Sequence, residues 1–176
     1  MKNVSKRSGL KLCVLGLLLS GTMALADGTN KTLEMTFSVR NGTGDEPMIA
    51  VWLENTDGDF IKTIQLFSKK SAYYKDLLAW RFKSKSNAQD AAGLDAVTGA
   101  TIKWKKAATI SVPVKQDGHD LLDGTYVLRI ESRKDKGSHY RDFKIPLTKD
   151  YKGGKHEDAG YVESVEISIK DKAAGK

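Results

Sequence analysis

Asp95-Ala96-Val97-Thr98-Gly99-Ala100-Thr101 is the one run in this chain whose residue types folding alone does not demand. Two hydroxyls, Thr98 and Thr101, bracket the small pair Gly99 and Ala100, and an acid opens the run. Glycine turns through backbone conformations that other residues avoid, and alanine adds almost no bulk. The active site of a second protein could therefore close over the Thr101 hydroxyl from either side and use it as an acceptor. The competing reading is a tight turn leading into a strand, for which Gly and Thr are ordinary residues.

Other chemistry finds less support. His119, His139 and His156 are far apart and lack a local metal pattern such as His-x-x-x-His. No Gly-x-Ser-x-Gly elbow presents a serine nucleophile. Asn55-Thr56-Asp57-Gly58 lacks the spaced ligands and closing Glu of an EF-hand and reads as a turn. The expectation is a chain with no catalytic residues of its own and no metal.

The elements that must carry the motif begin after an export signal. Lys2, Lys6, Arg7 and Lys11 make a basic start, Leu12 to Leu19 an apolar run, and Ala24-Leu25-Ala26 a small-x-small cleavage pattern. The apolar run is too short to span a bilayer, and Cys13 lies inside it, away from any lipoprotein cleavage site. Residues 1–26 are thus expected to be a signal peptide cleaved after Ala26. Residues 27–176 would be one periplasmic domain starting at Asp27, with no stable membrane insertion. Removing four basic residues leaves 25 against 22 acids, so the formal charge falls from +7 to +3. With no clustered basic patch and interleaved aromatics, nucleic acid is excluded as a partner. Cys13 is the only cysteine, so the mature chain has no disulfide and stands on its apolar core.

Alternating apolar residues then mark strands. They run Leu33 to Val39, Met48 to Leu53, Phe60 to Phe67, Ile110 to Val114, Tyr126 to Glu131, Phe143 to Leu147 and Ser164 to Ile169. Met48 to Leu53 is apolar on both parities, as expected of a strand covered on both sides. Between the third and fourth strands, Ser71 caps a short helix whose stripe is Tyr73, Leu77 and Trp80, widened by Tyr74 and Leu78. Trp80 either covers the core or walls a cofactor near the motif. Ser84 to Gly93 reads as an exposed loop delivering Asp95 to Thr101 at the surface, and Lys149 to Ala159 as a long charged loop. Trp104 stands among Lys103, Lys105 and Lys106, cations that could balance a phosphate at Thr101. With no βαβ pattern, the expected fold is mainly β: an immunoglobulin-like antiparallel sandwich with one short inserted helix. Phe37, Trp52, Tyr126, Leu128 and Ile167 are expected to share one core.

The motif resembles the acceptor sequence of bacterial FMN transferases, Asp-x-x-(Ser/Thr)-Gly-Ala-(Thr/Ser), with every specified position matched. That resemblance implies FMN joined to Thr101 by a phosphoester, with Asp95, Thr98, Gly99 and Ala100 read by the transferase, and Trp80 and Trp104 as neighbours of the cofactor. Nearly all of the mature chain also resembles the predicted periplasmic proteins of the DUF2271 family. The likeness rests on Ala50-Val51-Trp52-Leu53-Glu54, Phe60-Ile61-Lys62-Thr63, Leu77 with Trp80, the motif, and Gly124-Thr125-Tyr126-Val127-Leu128. It departs at Val112-Pro113, where relatives tend to show Trp-Asp before the central hairpin. The resemblance implies a periplasmic electron-transfer flavoprotein partnered by an FMN transferase and a PepSY-type membrane protein. The alternative is a cofactor-free binding module that docks a membrane redox partner.

Overall fold

Leu33, Met35, Phe37 and Val39 alternate with half-buried polar residues along β1 (Lys31–Val39), and each of the four is buried. The period of two puts them on one face of a pleated strand, as the sequence predicts. The computed structural model describes residues 31–69, 71–84, 98–135, 137–158 and 160–171. The expected signal peptide lies outside the described residues, as do most of the 84–93 loop and the chain beyond Asp171.

All seven long strands read from the sequence are present. One sheet has the order β10 (Gly154–Glu157), β11 (Val162–Asp171), β1, β5 (Ala107–Pro113), and every pairing in it is antiparallel. The other runs β4 (Thr98–Gly99), β3 (Phe60–Phe67), β2 (Met48–Asn55), β8 (Tyr126–Arg133), β9 (His139–Leu147). Its pairings are antiparallel except β4 with β3, which is parallel. Inner faces of both sheets meet in one apolar cluster, where Met35, Phe37, Val165 and Ile167 oppose Ile49, Val51, Leu128 and Ile130. This is a sandwich core, and burying each such side chain contributes about 1.5–3 kcal/mol.

After Pro113 a tight hairpin joins β6 (Lys115–Gln116) to β7 (His119–Asp120). Asp117 and Gly118 both have positive φ, 51° and 78°, the requirement of the two-residue turn that matches strand twist. The hairpin returns Leu121 to the core, where it is 1% exposed.

The second sheet is covered on its outer face as well. There a 3-10 turn (Ser71–Asp76) and α1 (Leu78–Ser84) bury Leu77 and Trp80 against Met48, Ala50, Trp52, Phe60 and Leu66. The expected single helix is therefore two pieces. Leu78, assigned to the buried stripe by spacing, is 48% exposed. Trp52 belongs to this outer layer and not to the inter-sheet core with Phe37 and Ile167. The face of β8 that carries Val127, Arg129 and Glu131 lies under this layer, and Glu131 is fully buried. Its carboxylate accepts the backbone N–H groups of Ala79 and Trp80, at 3.0 and 2.7 Å, which the first turn of α1 would otherwise leave without acceptors.

The segment from Lys149 to Ala159 is not wholly loop, since β10 pairs there with the edge of β11. Gly153 and Gly154 have φ of 91° and 153°, and a side chain on Gly153 would meet the Ile167 carbonyl oxygen at 2.3 Å. Glycine is what brings the chain against that edge. The strand carries no apolar alternation, so its sequence has no period-two signal.

Candidate functional site

Thr98 and Gly99 lie beside Leu66 and Phe67 as β4, and the Ser68 N–H donates to the Gly99 carbonyl at 3.1 Å. This half of the motif is pinned to the sheet edge instead of standing free as a loop. Gly99 leaves room for Gln65, whose Nε2 would lie 2.9 Å from a Cβ placed there. Beyond the edge, Ala100 is exposed, Thr101 half-buried and Ile102 buried in the main core. The anchored Ile102 side chain thus fixes half-buried Thr101 between the core and exposed Ala100. Asp95 lies outside the described residues.

Thr101 lines a pocket of about 90 Å3 with Met48, Tyr73 and Lys69, beside the carboxylates of Asp45, Glu46 and Asp135. Met48 and Tyr73 supply apolar and aromatic surface, and Lys69 is the cation among these lining residues. The lysines expected to serve Thr101 are elsewhere: Lys105 and Lys106 line a separate groove with Arg40 and Glu163, and Lys103 is exposed. The reason is the turn that starts at Lys103, closed by the Lys106 N–H on the Lys103 carbonyl at 3.1 Å. It redirects the chain, with Lys105 at φ 58°.

Trp104 lies half-buried in a neighbouring pocket of about 240 Å3 that also includes Arg40, Lys134, Tyr140 and Tyr161. Its Nε1 donates to the Gly44 carbonyl at 3.0 Å, its ring meets Tyr161 edge-on at 6.0 Å, and the Lys134 ammonium sits 5.8 Å from the ring. Tyr140 in turn packs edge-on against Tyr161 at 5.1 Å. Sequence reasoning named Trp104 but missed Lys134, Tyr140 and Tyr161. They come from separate segments, so no spacing in the chain announces their meeting.

Trp80 lines neither pocket. It is 4% exposed in the outer layer, and its Nε1 donates to the Thr63 hydroxyl at 2.9 Å. Its place is that of core cover. His119 and His156 each engage a tyrosine. His119 shares a hydrogen bond with the Tyr126 hydroxyl at 2.7 Å, and His156 stacks on Tyr151 and bonds its hydroxyl at 2.9 Å. Burial lowers the His156 pKa below its usual 6.5 and raises that of the Tyr151 phenol. Asp117 is held below the usual carboxylate range by its hydrogen bond to Lys62. Among the described residues no group of three or more His, Cys, Asp or Glu is placed to hold a metal ion, and no helix is long and apolar enough to cross a membrane.

The family model for predicted periplasmic proteins, DUF2271, matches residues 30–164. The chain belongs to the DUF2271 family. The match spans β1 through the start of β11. Comparison with curated proteins and with solved structures returned no match.

Proposed function

We propose that this protein is a periplasmic electron-transfer flavoprotein, not an enzyme in its own right, carrying FMN esterified to Thr101. An FMN transferase would install the group after export and removal of residues 1–26. Thr101 Oγ forms the new bond to the FMN phosphorus of FAD. The pyrophosphate bond to AMP breaks, AMP leaves, and the hydroxyl proton passes to the transferase. Bound flavin supplies reversible electron transfer, while the chain supplies attachment, orientation and the local field. The partner in turnover is a membrane redox protein of the PepSY type.

The observation that carries this reading is the setting of Thr101. The residue is half-buried between exposed Ala100 and anchored Ile102, and lines a pocket with Lys69 and Tyr73. These residues suit a phosphoester: the linkage carries negative charge, and a lysine ammonium is a natural counter-ion for it. The three carboxylates on the same pocket oppose that charge, so the phosphate is best served on the Lys69 side. Transferase access requires the two-residue pairing of β4 to yield, a small cost for so short a strand.

Co-expression with an FMN transferase, followed by export, tests the reading. The protein should start at Asp27 by intact mass and carry one FMN that remains fluorescent in a denaturing gel. Thr101→Ala should abolish the attachment, Thr101→Ser should retain part of it, and Thr98→Ala should not move the flavin to another residue. Wild-type protein that stays colourless beside a proven acceptor refutes the proposal. The binding-module reading would then stand. It has one observation on its side: Leu78 and Phe82, four residues apart on α1, are 48% and 80% exposed.

A further inference from the structure

Two features of the Thr101 pocket do not suit a flavin ring. At about 90 Å3 it is far below the roughly 300 Å3 at which pockets begin to enclose a drug-sized ligand. Its lining also holds three carboxylates, which oppose the negative charge a flavin ring gains on reduction. The neighbouring pocket is larger, about 240 Å3, aromatic on several sides, and bears Lys134 and Arg40.

We infer that the isoalloxazine ring of FMN tethered at Thr101 is seated in this second pocket, against Trp104 and Tyr161, with Tyr140 at its rim and Lys134 alongside. The inference rests on the flavin reading of Thr101. The same two stretches of chain line both pockets: Asn41, Gly42 and Thr43 line one and Asp45 and Glu46 the other, while the consecutive Lys134 and Asp135 fall one in each. Thr101 and Trp104 are three residues apart, a span of at most about 10 Å. The sugar-alcohol chain of FMN has similar reach.

The rings are held in place before any ligand arrives. A side chain on Gly42 would lie 2.5 Å from the Trp104 ring, and one on Gly137 would lie 2.7 Å from the Tyr161 hydroxyl. Both aromatics therefore occupy space that only the missing glycine side chains leave open, and the Gly44 carbonyl fixes the Trp104 edge. Arg40 holds the base by donating to the Gly160 carbonyl at 2.7 Å and to the Asp158 carbonyl. Lys134 is kept near the ring by donating to the Thr43 carbonyl at 2.7 Å. A cation in that position favours the reduced, electron-rich flavin over the oxidised one. A pocket of this size covers one part of the ring and leaves the rest open to a redox partner.

Flavin emission is quenched by electron transfer from a touching Trp or Tyr, so native fluorescence reads the seat and denaturing-gel fluorescence reads the attachment. The full exported chain, loaded by a transferase, should emit severalfold less in its native state than after complete protease digestion. Trp104→Leu should restore most of the emission, with gel fluorescence and the far-ultraviolet circular dichroism unchanged. Tyr140→Leu should restore part; Tyr140 is 36% exposed, so this variant leaves the core intact if Trp104→Leu does not fold. Tyr73→Leu, in the small pocket, should change nothing. The seat is refuted if native wild-type protein emits as strongly as its digest, if Trp104→Leu and Tyr140→Leu both leave the quenching unaltered, or if Tyr73→Leu alone relieves it. A gel without fluorescence for wild type removes the flavin reading itself, and the seat with it.

Discussion

Replacing Glu131 tests how the outer helical layer is held to the sheet. The side chain is 0% exposed, on a strand whose sequence gives no hint of a buried acid. Its two oxygens accept from Ala79 N–H and Trp80 N–H, at 3.0 and 2.7 Å. Hydrogen bonds to a charged group contribute about 1.5–3 kcal/mol each. Glu131→Ala removes both, leaves the helix donors without acceptors in a buried layer, and relieves the cost of burying the carboxylate. The net loss should be about 3–5 kcal/mol, the range for removing one side of a buried charged set. Glu131→Gln keeps one acceptor oxygen and should lose about 1–2 kcal/mol. Urea unfolding followed by tryptophan emission suits the measurement, because Trp52 and Trp80 lie in this layer. With total stability of roughly 5–15 kcal/mol expected, both variants should remain measurable. A loss below about 1 kcal/mol for Glu131→Ala would mean the two bonds contribute no more than water does, and the tether argument fails.

Leu128→Ala should cost about 2–5 kcal/mol, because Leu128 is 1% exposed between the two sheets; a denaturation midpoint unchanged within error would break the assigned register. Stability should also fall with acidity through His156. Its folded pKa lies below the unfolded 6.5, so the unfolded chain takes up the proton first, and the contribution present above 6.5 is lost as pH falls toward the folded value. The urea midpoint of the wild type should therefore drop from pH 7.5 to 5.5 by more than that of His156→Gln. Equal drops would show that the Tyr151–His156 stack plays no part.

The sequence by itself determined the long strands and the apolar residues that build the inter-sheet core. A period of two is a local property, visible in Leu33, Met35, Phe37 and Val39 without knowledge of any partner. It likewise showed that β2 is covered on both sides, and it isolated Thr98 to Thr101 as residues that folding did not require. The chain alone did not tell which cover lies on which face, because alternation assigns parity and not the identity of the neighbour. Hence Trp52 is expected in the inter-sheet core and Leu78 in the buried stripe, and the structure places neither there. The same limit hid β4 and β10, short edge strands whose pairing comes from a neighbouring strand and not from their own pattern. At the rim of Thr101, the acceptor letters were legible in one continuous run. Lys69, Tyr73, Lys134, Tyr140 and Tyr161 were not, since they arrive from segments distant in the chain, and only tertiary packing brings them beside Thr101 and Trp104.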